Sequence, residues 1–114
     1  MFGKIAKEHI ELIVKTAADL WGNKCVFGEM KVFPAPWSEF EWSMRLYDKV
    51  DAVLFYDRSI IGIHIIIEGE EKFLRKLFPE EVIVGFESSE PENLLHNFQV
   101  LDRIALEIIL NGKT

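Results

Sequence analysis

Apolar residues recur at helical spacing over the first twenty positions, alternate through the middle of the chain, and return to helical spacing toward its end. In the first segment Phe2, Ile5, Ala6, His9, Ile13, Ala17 and Leu20 fall on one stripe, with Lys4, Lys7, Glu8, Glu11 and Lys15 opposite. That pattern predicts a helix over 2–21 with one face on a core. Lys4–Glu8 and Glu11–Lys15 are spaced to pair across a turn. Gly22-Asn23 predicts its end, because both residues tolerate the left-handed conformation.

The period then drops to two. A strand is expected over 24–33, stopped by Pro34-Ala35-Pro36, since proline cannot donate to a ladder. The segment 39–47 alternates most cleanly: Phe40, Trp42, Met44 and Leu46 against Glu39, Glu41, Ser43 and Arg45, a strand with one wet face. Two further strands follow at 50–57 and 60–68, joined at Arg58-Ser59, and Ile61, Ile63, Ile65 and Ile67 of the second must face the core. A short helix is expected over 70–78, stopped by Pro79, then a short β-branched strand over 81–86. The last helix opens at Ser89-Glu90-Pro91-Glu92, a capping-box pattern, carries Leu94, Leu95, Phe98, Leu101, Ala105, Ile108 and Ile109 on one face, and ends at Gly112.

These elements predict an α+β fold: an antiparallel meander of four to five strands with the N- and C-terminal helices on one face, forming a single domain over 1–114. In element order this resembles frataxin-type domains, whose terminal helices flank a meander; the resemblance is one of architecture, without a shared motif. A two-residue loop at Arg58-Ser59 pairs Val53 with His64 and Leu54 with Ile63. A three-residue loop before Val50 puts Trp42 and Met44 on the core side with Leu54, whereas a two-residue loop would turn Glu41 and Arg45 inward. The second sheet face then carries Val53, Phe55, Ile60 and Ile66 beside His64.

Composition narrows the function classes. The formal net charge is -6, from 13 Lys+Arg and 19 Asp+Glu, which weighs against nucleic-acid phosphate and against an anionic membrane surface; it serves solubility, the commoner reason for such a charge, or suits a basic protein partner. The single cysteine, Cys25, excludes an internal disulfide; in an apolar strand it reads as a small buried hydrophobe. No signal-peptide stretch follows Met1 and the longest apolar run, 60–67, is too short to span a bilayer, so a cytoplasmic protein is expected. Abundant Glu and Ile with Gln99 as the only glutamine lean toward a thermophile's composition.

Familiar chemical signatures are missing: no phosphate-binding glycine loop, paired-cysteine metal site, His-Glu-x-x-His helix or nucleophile elbow. His9 lies on the apolar stripe of the first helix, His64 interrupts the isoleucine strand near Val53, with Asp51 and Asp57 farther along the Val53 strand, and His96 falls on the polar side of the last helix. No metal site or cofactor is expected from this spacing. The acidic clusters lack calcium-loop spacing and suit helix N-termini. The segment Phe33-Pro34-Ala35-Pro36-Trp37 is aromatic and proline-stiffened, with Trp37 placed either to cover the sheet end or to contact a partner.

Two functional readings follow. The first is a small acidic, non-enzymatic interaction module (a partner, inhibitor, antitoxin-like protein or subunit), expected to form a homodimer, with Phe33, Trp37, Val53, Phe55, Ile60, His64 and Ile66 as interaction residues. The alternative is a small-ligand binder or minor hydrolase with a pocket between sheet and helices containing His9, Trp42 and Tyr56.

Overall fold

The computed structural model describes residues 2–32, 40–57, 60–83 and 90–111, and within these the side chains of all but residues 2–9, 57 and 60. Helix α1 spans Phe2–Trp21 and passes through a single 3-10 turn, Gly22–Lys24, into β1, Cys25–Val32. Strands β2 (Phe40–Leu46), β3 (Val50–Asp57), β4 (Ile60–Ile67) and β5 (Glu70–Phe73) follow, then the one-turn helix α2 (Leu74–Leu77) and the long helix α3 (Pro91–Asn111). The strands form one sheet in the order β1-β2-β3-β4-β5, every neighbour antiparallel.

The alternation in the sequence becomes the two faces of this sheet. Phe40, Trp42, Met44 and Leu46 of β2, Val50, Ala52, Leu54 and Tyr56 of β3, and Ile61, Ile63 and Ile65 of β4 are all buried in one cluster. The same cluster takes Ile13, Ala17 and Trp21 from α1 and Leu94, Phe98, Leu101, Ala105 and Ile108 from α3. Both long helices therefore cover one face, as the sequence pattern predicts. Trp21 packs on Phe98 at 5.3 Å between ring centroids, joining the two helices.

Turn chemistry sets the register. Gly22 takes φ +54° where α1 stops, a conformation open to glycine at little cost. Between β2 and β3 the loop has three residues, 47–49, because Leu46 pairs with Val50. Val53 pairs with His64 and Leu54 with Ile63, the register expected from a two-residue loop at 58–59.

The region after β4 departs from expectation. Glu68 and Gly69 take φ +53° and +82°, the positive values of a two-residue hairpin turn, and Ile67 pairs with Glu70. Residues 70–73 are therefore the fifth strand, and the expected helix over 70–78 shrinks to the single turn of α2. The expected strand over 81–86 is not formed where it is described, since residues 81–83 carry a turn and a bend; its remainder, like the expected cap Ser89, lies outside the described residues.

Candidate interaction face

The face turned away from the helices is built of cross-strand rows. Ser43 pairs with Val53, Val53 with His64 and His64 with Phe73, one row crossing four strands. On one side of it Val26 pairs with Arg45, Arg45 with Asp51, and Ile66 with Glu71. On the other, Lys31 pairs with Glu41, Glu41 with Phe55 and Phe55 with Gly62. Val53, Phe55, His64, Ile66 and Phe73 are all half-buried. That is unusual for a wet sheet face, where alternation normally delivers polar side chains.

His64 is the centre of the face. Its ring meets Phe55 edge-on at 4.3 Å and Phe73 edge-on at 4.0 Å. Nδ1 donates to Glu71 Oε1 at 2.7 Å, while Nε2 is buried without a hydrogen-bond partner among the described residues. Arg75 and Lys76 stand over the Phe73 ring at 5.1 and 5.3 Å. The sequence places His64 near Val53, its partner in the observed register, with Asp51 and Asp57 farther along β3 as the candidate carboxylates. The carboxylate partner of His64 is instead Glu71, which became available because 70–73 is a strand.

Small residues leave a depression beside this ridge. Gly28, at the β1 bulge between Phe27 and Met30, and Ser43 form its floor; Val26, Val53 and Ile66 wall it, with Arg45 and Asp51 at the rim, enclosing about 370 Å³. Arg45 Nη1 grips both Asp51 oxygens at 2.9 and 3.0 Å. A Cβ on Gly28 would lie 3.2 Å from Ser43 Cβ, so the bulge brings the two strands close where the floor is lowest.

Of the interaction residues expected from sequence, the structure brings Val53, Phe55, His64 and Ile66 together on this face. Phe33, Trp37 and the side chain of Ile60 lie outside the described residues. Of the alternative pocket residues, Trp42 and Tyr56 are 5% and 3% exposed within the core. Trp42 stacks on Phe27 at 4.7 Å and donates Nε1–H to the Gly28 carbonyl at 3.0 Å, and Tyr56 stacks on Phe40 at 5.2 Å. The His9 side chain lies outside the described residues. Sequence reasoning missed Phe73 and Glu71 as members of the face; both follow from the register once β5 is recognised, while Arg45 stands on the outer side of β2 as its alternation predicts.

Two polar clusters lie elsewhere. Asp102 Oδ1 accepts from Trp21 Nε1 at 2.8 Å and from the Tyr47 hydroxyl at 2.5 Å. Burial and the Asp102 carboxylate push the Tyr47 phenol up to about 12, and burial pushes the Cys25 thiol up to about 11. The second cluster fastens residues 78–83 to α3. Asn97 pairs both amide atoms with the Ile83 peptide, His96 Nε2 donates to the Glu81 carbonyl at 2.7 Å, and Arg103 pairs with Glu81. His96 is exposed on the polar side of α3, as the sequence pattern predicts, and its bond to the Glu81 carbonyl ties the ring to the 78–83 segment. Among the described residues no three His, Cys, Asp or Glu side chains gather as a metal site, and no helix is long and apolar enough to cross a membrane. Compared with family models, curated proteins and solved structures, the chain matches none.

Proposed function

We propose that this chain is a small acidic interaction module without catalytic chemistry of its own, and that it works as a twofold homodimer joined through the outer face of its sheet. The observation that carries the reading is the half-buried apolar ridge of Val53, Phe55, His64, Ile66 and Phe73, on the face opposite both long helices. Apolar patches of this kind mark contact surfaces. Five strands about 4.8 Å apart, four to eight residues long, present about 550 Å² per copy, so a twofold pair buries about 1,100 Å², just above the roughly 1,000 Å² that a specific interface needs. Isologous pairing is the commonest way such a face is covered.

The titrating groups support a non-enzymatic reading. The Cys25 thiol and Tyr47 phenol are held at about 11 and about 12, so both keep their protons at neutral pH, and a protonated thiol is a poor nucleophile. The net charge of -6 favours a basic protein as any further partner and weighs against nucleic acid.

Sedimentation at pH 8 and micromolar concentration is expected to give twice the 13.2 kDa chain mass. Val53→Asp, which sets a charge at the centre of the ridge, is expected to give the chain mass with an unchanged circular dichroism spectrum. A wild-type chain that stays monomeric at tens of micromolar would end this reading.

A further inference from the structure

The outer face is complementary to itself in one orientation, and the register identifies it. A twofold axis running between β3 and β4, parallel to the strands, lays β2 of one copy on β5 of the other and β3 on β4. A twofold perpendicular to the strands would instead reverse the rows and bring the charged Arg45–Asp51 row against Phe55 and Glu41. Only the first orientation matches the rows to one another.

In that orientation the large side chains meet the small ones. Ser43 pairs with Val53, Val53 with His64 and His64 with Phe73 across the sheet, so Phe73 of the second copy comes over Ser43, above the depression of about 370 Å³ that Ser43 and Gly28 floor. Phe55 pairs with Gly62 within one copy and lays its ring over that glycine, where a Cβ would come within 2.5 Å of it, so the Phe55 rings of the two copies meet across the axis. Val53 meets His64 of the second copy, an apolar contact on a ring already desolvated at Nε2. Charge agrees with shape. Arg45 pairs with Asp51, and Glu71 with Ile66, which brings Arg45 of each copy against Glu71 of the other. Arg45, which grips Asp51, and Glu71, which accepts from His64, are still about half exposed, at 45% and 54%, so each has room for a further partner across the interface.

We infer that the dimer forms about this axis, with Phe73 of each copy seated in the depression beside Ser43 of the other and Arg45 of each copy paired to Glu71 of the other. This rests on the outer-face dimer reading and goes beyond it by fixing which residues meet. Within one copy Arg45 and Glu71 lie three strands apart, about 14 Å, so any coupling between them comes from the second copy.

Charge reversal separates the two claims. Arg45→Glu and Glu71→Arg are each expected to raise the dimer dissociation constant roughly tenfold, since two like-charge contacts replace two attractive ones. An equimolar mixture of the two variants restores both attractive contacts and is expected to associate as tightly as wild type, within about twofold. The double variant on a single chain is expected to recover likewise, which also controls for folding. A wild-type dimer whose variants show no recovery, mixed or combined, overturns this arrangement while leaving the dimer in place. A wild-type monomer overturns both.

Discussion

The Tyr47 hydroxyl donates to Asp102 Oδ1 at 2.5 Å from a backbone held at φ +54°. Few aromatic residues adopt that conformation, because Cβ crowds the neighbouring carbonyl. The strain is offset by what the turn achieves: the same Asp102 oxygen also accepts from Trp21 Nε1 at 2.8 Å. One carboxylate oxygen thereby ties the end of α1, the β2–β3 turn and the middle of α3 together at one end of the sheet.

Removing that oxygen leaves two donors without an acceptor, one of them on Trp21, which is 2% exposed. Asp102→Ala is therefore expected to cost about 2–3 kcal/mol of unfolding free energy, in the range for bonds to a charged group. Asp102→Asn retains an oxygen acceptor and is expected to cost about 1 kcal/mol. Urea unfolding of the three chains measures both; equal losses would show that the charge, rather than the acceptor, holds the node.

The same end of the molecule makes stability sensitive to alkali. Burial raises the Cys25 thiol from 9.0 to about 11. Burial, with the hydrogen bond and charge of Asp102 after it, raises the Tyr47 phenol from 10.0 to about 12. In both cases the folded chain holds its proton more tightly than the unfolded chain, so the stabilisation is complete below the unfolded value and is lost as pH rises through the folded one. The melting temperature is expected to hold level to about pH 9 and to fall between about pH 9 and 12. Cys25→Ala with Tyr47→Phe is expected to flatten that fall, measured against wild type to remove the contribution of lysines. An identical slope in both chains would place the alkaline loss elsewhere. At pH 8 the buried thiol should also react slowly with a thiol reagent.

The elements that could be read from the sequence are those with a long, clean period. Phe40 to Leu46 and Ile61 to Ile67 alternate over enough residues that only one face assignment buries their apolar set, and this assignment fixed the three-residue turn before Val50 and the Val53–His64 register. Strand β5 has four residues, too few to show a period, and it begins Glu70-Glu71, which reads as a helix N-terminus. Its turn is Glu68-Gly69, with Glu68 in a positive-φ position usually taken by Asn, Asp or Gly. Missing β5 hid Phe73 and Glu71, and with them the β5 edge of the outer face. Asp102 stands four residues after Phe98, at the edge of the α3 stripe, but its partners Trp21 and Tyr47 are distant in sequence and nothing local announces them.

Asn97 was legible in principle. It lies between Leu94 and Leu101 on the apolar stripe of α3 and is 1% exposed, the one buried polar residue of the described core. A polar side chain there must find partners, and it finds them in a single peptide: Oδ1 accepts from the Ile83 N–H at 2.8 Å and Nδ2 donates to the Ile83 carbonyl at 2.9 Å. The amide thus mimics one rung of a β-ladder and fixes residues 81–83 to α3 where no strand forms. Asn97→Ala strands both peptide groups and opens a small gap, and is expected to cost about 2–4 kcal/mol. Asn97→Asp keeps the acceptor but loses the donor and buries a charge, and should cost no less. Native-state hydrogen exchange distinguishes a local clamp from a general core contact. Exchange at the Ile83 amide is expected to accelerate more in Asn97→Ala than at Leu54 or Ile63, which sit in the middle of the sheet. Uniform acceleration at all three would mean that Asn97 supports the core as a whole and that the 81–83 segment does not depend on it in particular.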